Sequence, residues 1–368
     1  MLSGRTARHA SWRAGLTRGD FRLVVAATAL TAASGVTRFA GAGAVAPFVV
    51  SGLALAALAA LVGRSVDRLG DRLGSGATGF VQSALGNLPE LFIGIFALRA
   101  GLVRVVQSAI VGSILANVLL VLGAAFVAGG LRHGTQRFHT DAPRAAVLLL
   151  MLAVAVIVVP TLSSHLAVAV ARHEQALSDV ASVVLLLVFA LSIPSALSAA
   201  PATASTGPGV VTHGGEWSTP LVVAALLGSS VAAAFVSDWF VAALAPALST
   251  LHVSDAFAGF VIVAIAGNAV ENFVGISLAA KGRSDYALAA ILQSPVQIAL
   301  AVLPALVLLS GPLGGAHLTL VMPVMLVAAL VIGTAITVVV VFDGESTWLE
   351  GAALVGCYVT IAAAFWWG

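Results

Sequence analysis

The chain has 368 residues, of which 60% are hydrophobic and only 9% are charged. Soluble domains carry roughly a quarter charged residues, so an ordinary soluble enzyme, a disordered chain and a nucleic-acid binder are excluded. Seventeen Lys and Arg against fifteen Asp and Glu leave a net charge of +2, which suits basic membrane flanks rather than a phosphate-binding face.

Residues 1–20 are Arg-rich and carry no acid before Asp20, which reads as a basic cytoplasmic N-terminus rather than a transit peptide. A membrane helix needs about 20 mostly apolar residues. Eleven such runs follow, at 21–38, 44–62, 76–99, 103–129, 143–160, 178–199, 219–244, 254–280, 284–310, 316–341 and 346–367. Their unbroken hydrophobicity is unlike the roughly ten-residue alternation of a membrane β-barrel. The fold expected is therefore an all-α polytopic membrane protein. Cys357 is the single cysteine and lies in an apolar run, which leaves no disulfide framework and no Cys-rich metal site.

With the N-terminus inside, thirteen Lys and Arg fall on inner segments and four on outer ones (Arg38, Arg99, Arg104 and Arg172). That bias supports an odd number of spans and an outer C-terminus. Residues 200–217, rich in Pro, Gly, Ser and Thr, read as a flexible linker. It divides the chain into an extra N-terminal helix (21–38), a first half (41–199) and a second half (218–368).

The halves share a pattern. GNLPELFIGIFALRAG begins at Gly86 and GNAVENFVGISLAAKG at Gly267, an offset of 181 residues. At that offset Asn87, Glu90, Phe92, Gly94, Gly101 and Ser113 meet Asn268, Glu271, Phe273, Gly275, Gly282 and Ser294. Polar identities at a fixed offset point to duplication. Five helices separate equivalent elements, so the copies cross the membrane in opposite directions. Such inverted repeats suit a site that opens alternately to each side.

Glu90, Glu271 and Asp238 are the acids that lie well inside apolar spans. A carboxylate at that depth is costly unless it faces a cavity or a partner. Asn87 and Asn268 each stand three residues before a repeat glutamate, which puts amide and carboxylate on one helical face. Pro89 is expected to disturb the helix there and to free backbone carbonyls. Span four adds Gln107, Ser108, Ser113 and Asn117; span nine adds Gln293, Ser294 and Gln297. Asp238 and Asn117 are candidates for a gate or relay. This all-oxygen set suits a hard divalent cation such as Ca²⁺, Mg²⁺ or Mn²⁺. Two glutamates balance one divalent ion. When it leaves, burial and mutual repulsion favour protons in its place, so metal and protons exchange obligatorily.

These residues resemble the calcium/cation antiporter superfamily, in its cation/proton exchanger branch. The resemblance is carried by the two motifs from Gly86 and Gly267 and by DGESTWLEGAALVGCYVTIAAAFWW from Asp343, and it spans about residues 40–368. It implies two inverted five-helix repeats preceded by one extra helix, and Ca²⁺ exchanged for H⁺. Glu90 and Glu271 would bind Ca²⁺ and protons in turn, with Asn87, Asn268, Ser113, Ser294, Gln107 and Gln297 as further ligands. The expected setting is a prokaryotic plasma membrane with Ca²⁺ extruded. Partners are Ca²⁺, H⁺ and the bilayer, without cofactor, enzymatic activity or nucleic acid; a homo-oligomer stays open. One departure stands out: where this branch usually has His after the second glutamate, the chain has Asn272. The rivals are a Na⁺/Ca²⁺ or monovalent cation/H⁺ exchanger and, in another class, a passive cation channel.

Overall fold

A computed structural model describes residues 17–73, 87–166, 173–198 and 217–366, without the side chains of 67, 69–73, 195–198 and 269–271. Most of the basic N-terminus, all of the linker before Trp217, Gly86 with the first half of span three, Arg172 and the Glu271 side chain lie outside the described residues.

The described chain is helical apart from short connections. Its helices are α1 (Arg18–Phe39), α2 (Val45–Leu73), α3 (Leu88–Arg99), α4 (Val103–His133), α5 (Asp141–His165) and α6 (Glu174–Ser198). After the linker come α7 (Thr219–Leu251), α8 (Asp255–Gly267), α9 (Ala269–Ala279), α10 (Ser284–Ser310), α11 (Val324–Phe342) and α12 (Trp348–Trp366). Two-residue strands β1 (Gln136–Arg137) and β2 (Glu345–Ser346) pair antiparallel and tie the α4–α5 loop to the α11–α12 loop.

Eight single helices among the described residues are long and apolar enough to cross a membrane, and the bent pair α8–α9 makes a ninth candidate. This is a polytopic helical membrane protein. Helix α1 matches expected span one in position, but Arg18, Asp20, Arg22 and Arg38 keep it out of that apolar set. Span eight, expected as one helix over 254–280, is broken at Asn268, where the two pieces meet at 66°. Span ten, expected over 316–341, begins only at Val324. Residues 316–323 run extended instead, burying Leu318, Leu320 and Met322 on alternate positions before Pro323 caps α11.

Non-helical backbone is tolerated at membrane depth only when protein satisfies its polar groups. Here side chains of three helices do so. Ser178 Oγ accepts from Leu320 N at 3.0 Å, and Thr161 Oγ1 accepts from Met322 N while donating to Leu320 O, each at 3.0 Å. Gln107 Nε2 donates to Val321 O at 2.9 Å and reaches Thr319 O at 3.4 Å.

Helices α4 and α10 are the most enclosed, with 83% and 78% of their most apolar windows buried, against 22% for α6 and α12. They form the centre around which the other helices pack. Small residues let backbones approach there. A Cβ at Gly112 of α4 would lie 2.2 Å from Phe260 O of α8, and one at Gly259 would lie 2.5 Å from Val105 O, so neither position takes a side chain without moving a helix. Three π-helical stretches interrupt these inner helices, at Ala116–Val121 in α4, Ala258–Val263 in α8 and Ile298–Val302 in α10. Such bulges re-aim side chains and cluster at functional sites.

One charged cluster anchors α1. Asp20 is buried and meets Arg64 Nε at 3.4 Å, Arg68 Nη2 at 3.3 Å and Trp217 Nε1 at 3.1 Å. It also completes a capping box with Thr17. The start of α1, the far part of α2 and the residue ahead of α7 are thereby joined.

Candidate functional site

Helices α3 and α9 begin in the same way. Asn87 and Asn268 are their N-cap residues, with backbone angles of −94°, 15° and −103°, 14°. The amides therefore precede their helices instead of riding on a helical face. Pro89 falls in the first turn of α3, where its missing N–H costs nothing, so it opens that helix and does not kink it. Glu90 sits in the same turn, at the positive end of the helix dipole. The Asn87 carbonyl is taken by Leu91 N at 3.1 Å and that of Asn268 by Asn272 N at 3.0 Å, whereas the carbonyl one turn before Pro89 lies outside the described residues.

Neither asparagine makes the usual side-chain cap. Each turns its amide across the molecule. Asn87 Nδ2 donates to Gln297 Oε1 of α10 at 2.7 Å. Asn268 Nδ2 donates to Ser113 Oγ of α4 at 3.1 Å and to Ala264 O at 3.0 Å. Its Oδ1 accepts from Ser294 Oγ of α10 at 3.2 Å and from Asn117 Nδ2 at 3.4 Å. Asn117 Nδ2 also reaches Ser113 O at 2.9 Å. All six of these residues are buried, and five of the expected ligands (Asn87, Asn268, Ser113, Ser294 and Gln297) fall with Asn117 into two hydrogen-bonded groups: the Asn87–Gln297 pair between α3 and α10, and a network around Asn268 that joins α4, α9 and α10.

Glu90 lies beside this network. A Cβ built on Gly267 would stand 2.7 Å from Glu90 Oε1, so the carboxylate reaches from α3 to the break between α8 and α9. Glu90 and Ser113 also line a narrow cleft of about 20 Å³, room for about one water, between α3, α4, α8 and α10, whose other walls are aliphatic or glycine. The oxygens are unequally engaged. Asn268 Oδ1 has two donors, whereas the buried Asn87 Oδ1 and Asn117 Oδ1 have no hydrogen-bond partner among the described residues. Leaving a buried amide oxygen unmatched costs roughly 1–3 kcal/mol, and a cation would remove that cost. No group of three His, Cys, Asp or Glu comes together among the described residues. A cation beside Glu90 would meet amide and hydroxyl oxygens there.

Three expected participants stand apart. Gln107 spends its amide N–H groups on the extended segment at Thr319 and Val321. Gln293 is exposed. Asp238 is exposed on α7 next to Trp239, whose ring packs on Gly35 and Phe39 near the end of α1, away from the Asn268 network. Asn272 is half-buried, and its Oδ1 has no hydrogen-bond partner among the described residues. Gly267 was missed as a site residue. Its signal was its place beside the repeat asparagine, read only as part of a motif.

The sodium/calcium exchanger protein family matches residues 43–196 and 221–367. A Ca²⁺/H⁺ antiporter of Synechocystis sp. is 31% identical over 86% of this chain and 90% of its own length. The Ca²⁺/H⁺ antiporter ChaA of Bacillus subtilis is 30% identical over 86% of this chain and 91% of its own length. The solved structure of native YfkE superposes with a TM-score of 0.79 at 27% identity, over 94% of this chain and all of that one. With matched segments covering most of both halves, the chain belongs to the sodium/calcium exchanger family, in its cation/proton exchanger branch.

Proposed function

We propose that the protein exchanges Ca²⁺ for H⁺ across a membrane by alternating access. Glu90 and Glu271 hold either one Ca²⁺ or protons. The single observation that carries this reading is the placement of the Glu90 carboxylate against Gly267, beside the amide and hydroxyl network centred on Asn268. The family and the Ca²⁺/H⁺ antiporters of similar sequence support the choice of ions.

The chemistry follows from charge. A Ca²⁺ ion wants six to eight oxygens at about 2.3–2.6 Å. Glu90, Glu271, Asn87 Oδ1, Asn117 Oδ1, Ser113, Ser294 and water supply a set of that kind, with Asn268 and Gln297 positioning it through their hydrogen bonds. Two carboxylates with one Ca²⁺ are neutral, and two carboxyls with two protons are neutral. Either state can reorient in a low-dielectric setting. An empty dianionic site is held back by its charge. Gln107 has a positioning role in this scheme, because its amide secures the 319–321 backbone.

The halves act as inverted repeats. Elements at the shared offset of 181 residues support this, since α3 and α4 begin at Leu88 and Val103 and α9 and α10 at Ala269 and Ser284. Eleven spans, with α1 as the extra helix and the N-terminus inside, complete the arrangement in a prokaryotic plasma membrane. The Glu90 carboxylate lies in the first turn of α3 and beside the start of α9, near the positive ends of both helices.

The test is uptake of Ca²⁺ into proteoliposomes of purified protein, acid inside, without Na⁺. Uphill uptake that collapses when a protonophore equalises the pH supports the proposal. Uptake that requires a Na⁺ gradient replaces the counter-ion, and purely downhill movement makes the protein a channel.

A further inference from the structure

Helices α3 and α9 match in sequence but not in cover. At the shared offset of 181 residues Phe92 meets Phe273 and Ile93 meets Val274. Phe92 is half-buried against the core and Ile93 is 3% exposed, whereas Phe273 is 75% and Val274 43% exposed. The sides that face α10 do not differ. Gly94 and Gly275 are both buried, and a Cβ on them would stand 2.6 Å from Leu306 Cδ1 and 2.5 Å from Ile291 Cγ1, both on α10. Phe92 and Phe273 lie two residues before those glycines, which at about 100° per residue puts them on the opposite sides of their helices. Helix α3 packs mainly along α7, the first helix of the second half. The counterpart pair, α9 and the first helix of the first half (α2), touches only lightly. One copy of the repeat is covered and the other is not.

Inverted repeats that open a shared site to each side in turn exchange their arrangements. Burying a phenylalanine that stood in water biases a two-state equilibrium by about tenfold or more. We propose that Phe273 and Val274 form a gate that closes on α2, and that Phe92 and Ile93 form its counterpart, covered in this structure and uncovered in the other state. Phe273 and Val274 follow Glu271 by two and three residues, so the gate lies on the helical turn that carries the second repeat glutamate. The inference rests on the reading of the halves as inverted repeats and adds to it the residues that seal each side.

The experiment uses the full chain in lipid nanodiscs without Ca²⁺, with Cys357→Ala to remove the one native thiol. Phe273→Cys, Val274→Cys, Phe92→Cys and Ile93→Cys are each labelled with a charged, water-soluble methanethiosulfonate and, separately, with a lipid-soluble maleimide. The charged reagent should react with positions 273 and 274 about tenfold or more faster than with 92 and 93. Phe92→Asp then puts a charge on the covered side of α3 and favours the state in which that side meets water. Added to Phe273→Cys, it should slow labelling at 273 about fivefold or more; Phe92→Ser is the milder substitute if the charged variant does not fold. Equal rates at the four positions, or a reaction at 273 with the lipid-soluble reagent alone, would overturn the proposal, the second by showing that Phe273 faces lipid. Labelling at 273 that ignores a folded Phe92 variant would overturn it as well, because the two sides would not be exchanging cover. No reading uses Ca²⁺ or a pH gradient. Failed labelling beside intact Ca²⁺/H⁺ exchange therefore removes the gate alone, and failed exchange beside the expected labelling removes the choice of ions alone.

Discussion

Gly267→Ala moves the Glu90 carboxylate without altering any charge. The new methyl would stand 2.7 Å from Glu90 Oε1 and 3.1 Å from its Cδ. Ordinary carbon–oxygen contact is about 3.4 Å, so the carboxylate must retreat by roughly half an ångström or more. Calcium–oxygen bonds span only about 2.3–2.6 Å, and a retreat of that size takes one ligand oxygen out of range. A 1 Å misplacement at a reacting centre costs about a hundredfold, and half of that free energy is about tenfold. The apparent Km for Ca²⁺ should therefore rise about tenfold, or kcat/KM fall by the same factor. The fold should not suffer, because Ala is the better helix former by up to about 1 kcal/mol. Gly228→Ala is the control, since its Cβ would meet nothing within 4 Å. The assay is initial Ca²⁺ uptake against Ca²⁺ concentration in proteoliposomes, with thermal unfolding measured alongside. Unchanged kinetics in Gly267→Ala would refute the placement of Glu90 at the ion.

Other substitutions probe the remaining parts. Asn87→Ala removes an amide oxygen that has no donor among the described residues and one buried hydrogen bond, to Gln297, so Ca²⁺ affinity should weaken several-fold and stability fall by about 1 kcal/mol. Asn268→Ala instead orphans Ser113, Ser294 and Asn117 in a buried network, so it should destabilise by about 3 kcal/mol; equal thermal stability of the two variants would contradict that division. Asn272→His places a titrating group one residue after Glu271, and the activity–pH profile should gain a step near pH 6–7, roughly where an unperturbed imidazole ionises. Superimposable profiles would show that position 272 takes no part in proton handling. Asp20→Asn leaves the buried Arg68 facing a neutral amide and should cost about 3 kcal/mol of stability while sparing Ca²⁺ affinity, a split that unfolding and uptake measured on one preparation would reveal.

The apolar runs were legible because a bilayer demands about 20 apolar residues whatever the neighbours do. Glu90 and the amides were legible for the opposite reason, as polar residues where they cost most. What escaped reading is what long-range contacts decide. Gln107 looked like a ligand from its place on α4, yet its partners are carbonyls more than 200 residues away. The extended run at 316–323 is flanked by Pro312, Gly314, Gly315 and Pro323, but its alternating Leu318, Leu320 and Met322 merge with the helix that follows. The break at Asn268 carries no proline to announce it. Hydropathy also cannot tell which side of α7 faces out, so Asp238 looked internal. Asp20 seemed one acid in a basic flank until α2 brought Arg64 and Arg68 to it.

The central claim is that two carboxylates carry Ca²⁺ and protons alternately. It is tested most directly by recording both fluxes at once in proteoliposomes, with one dye for Ca²⁺ and one for pH. After a Ca²⁺ jump at zero pH gradient, the account predicts Ca²⁺ entry and proton exit in a fixed ratio. Removing Ca²⁺ should stop the protons, and Glu90→Gln or Glu271→Gln, each inserted and folded, should abolish both fluxes. Proton movement without Ca²⁺, or linked exchange surviving in either variant, would contradict it.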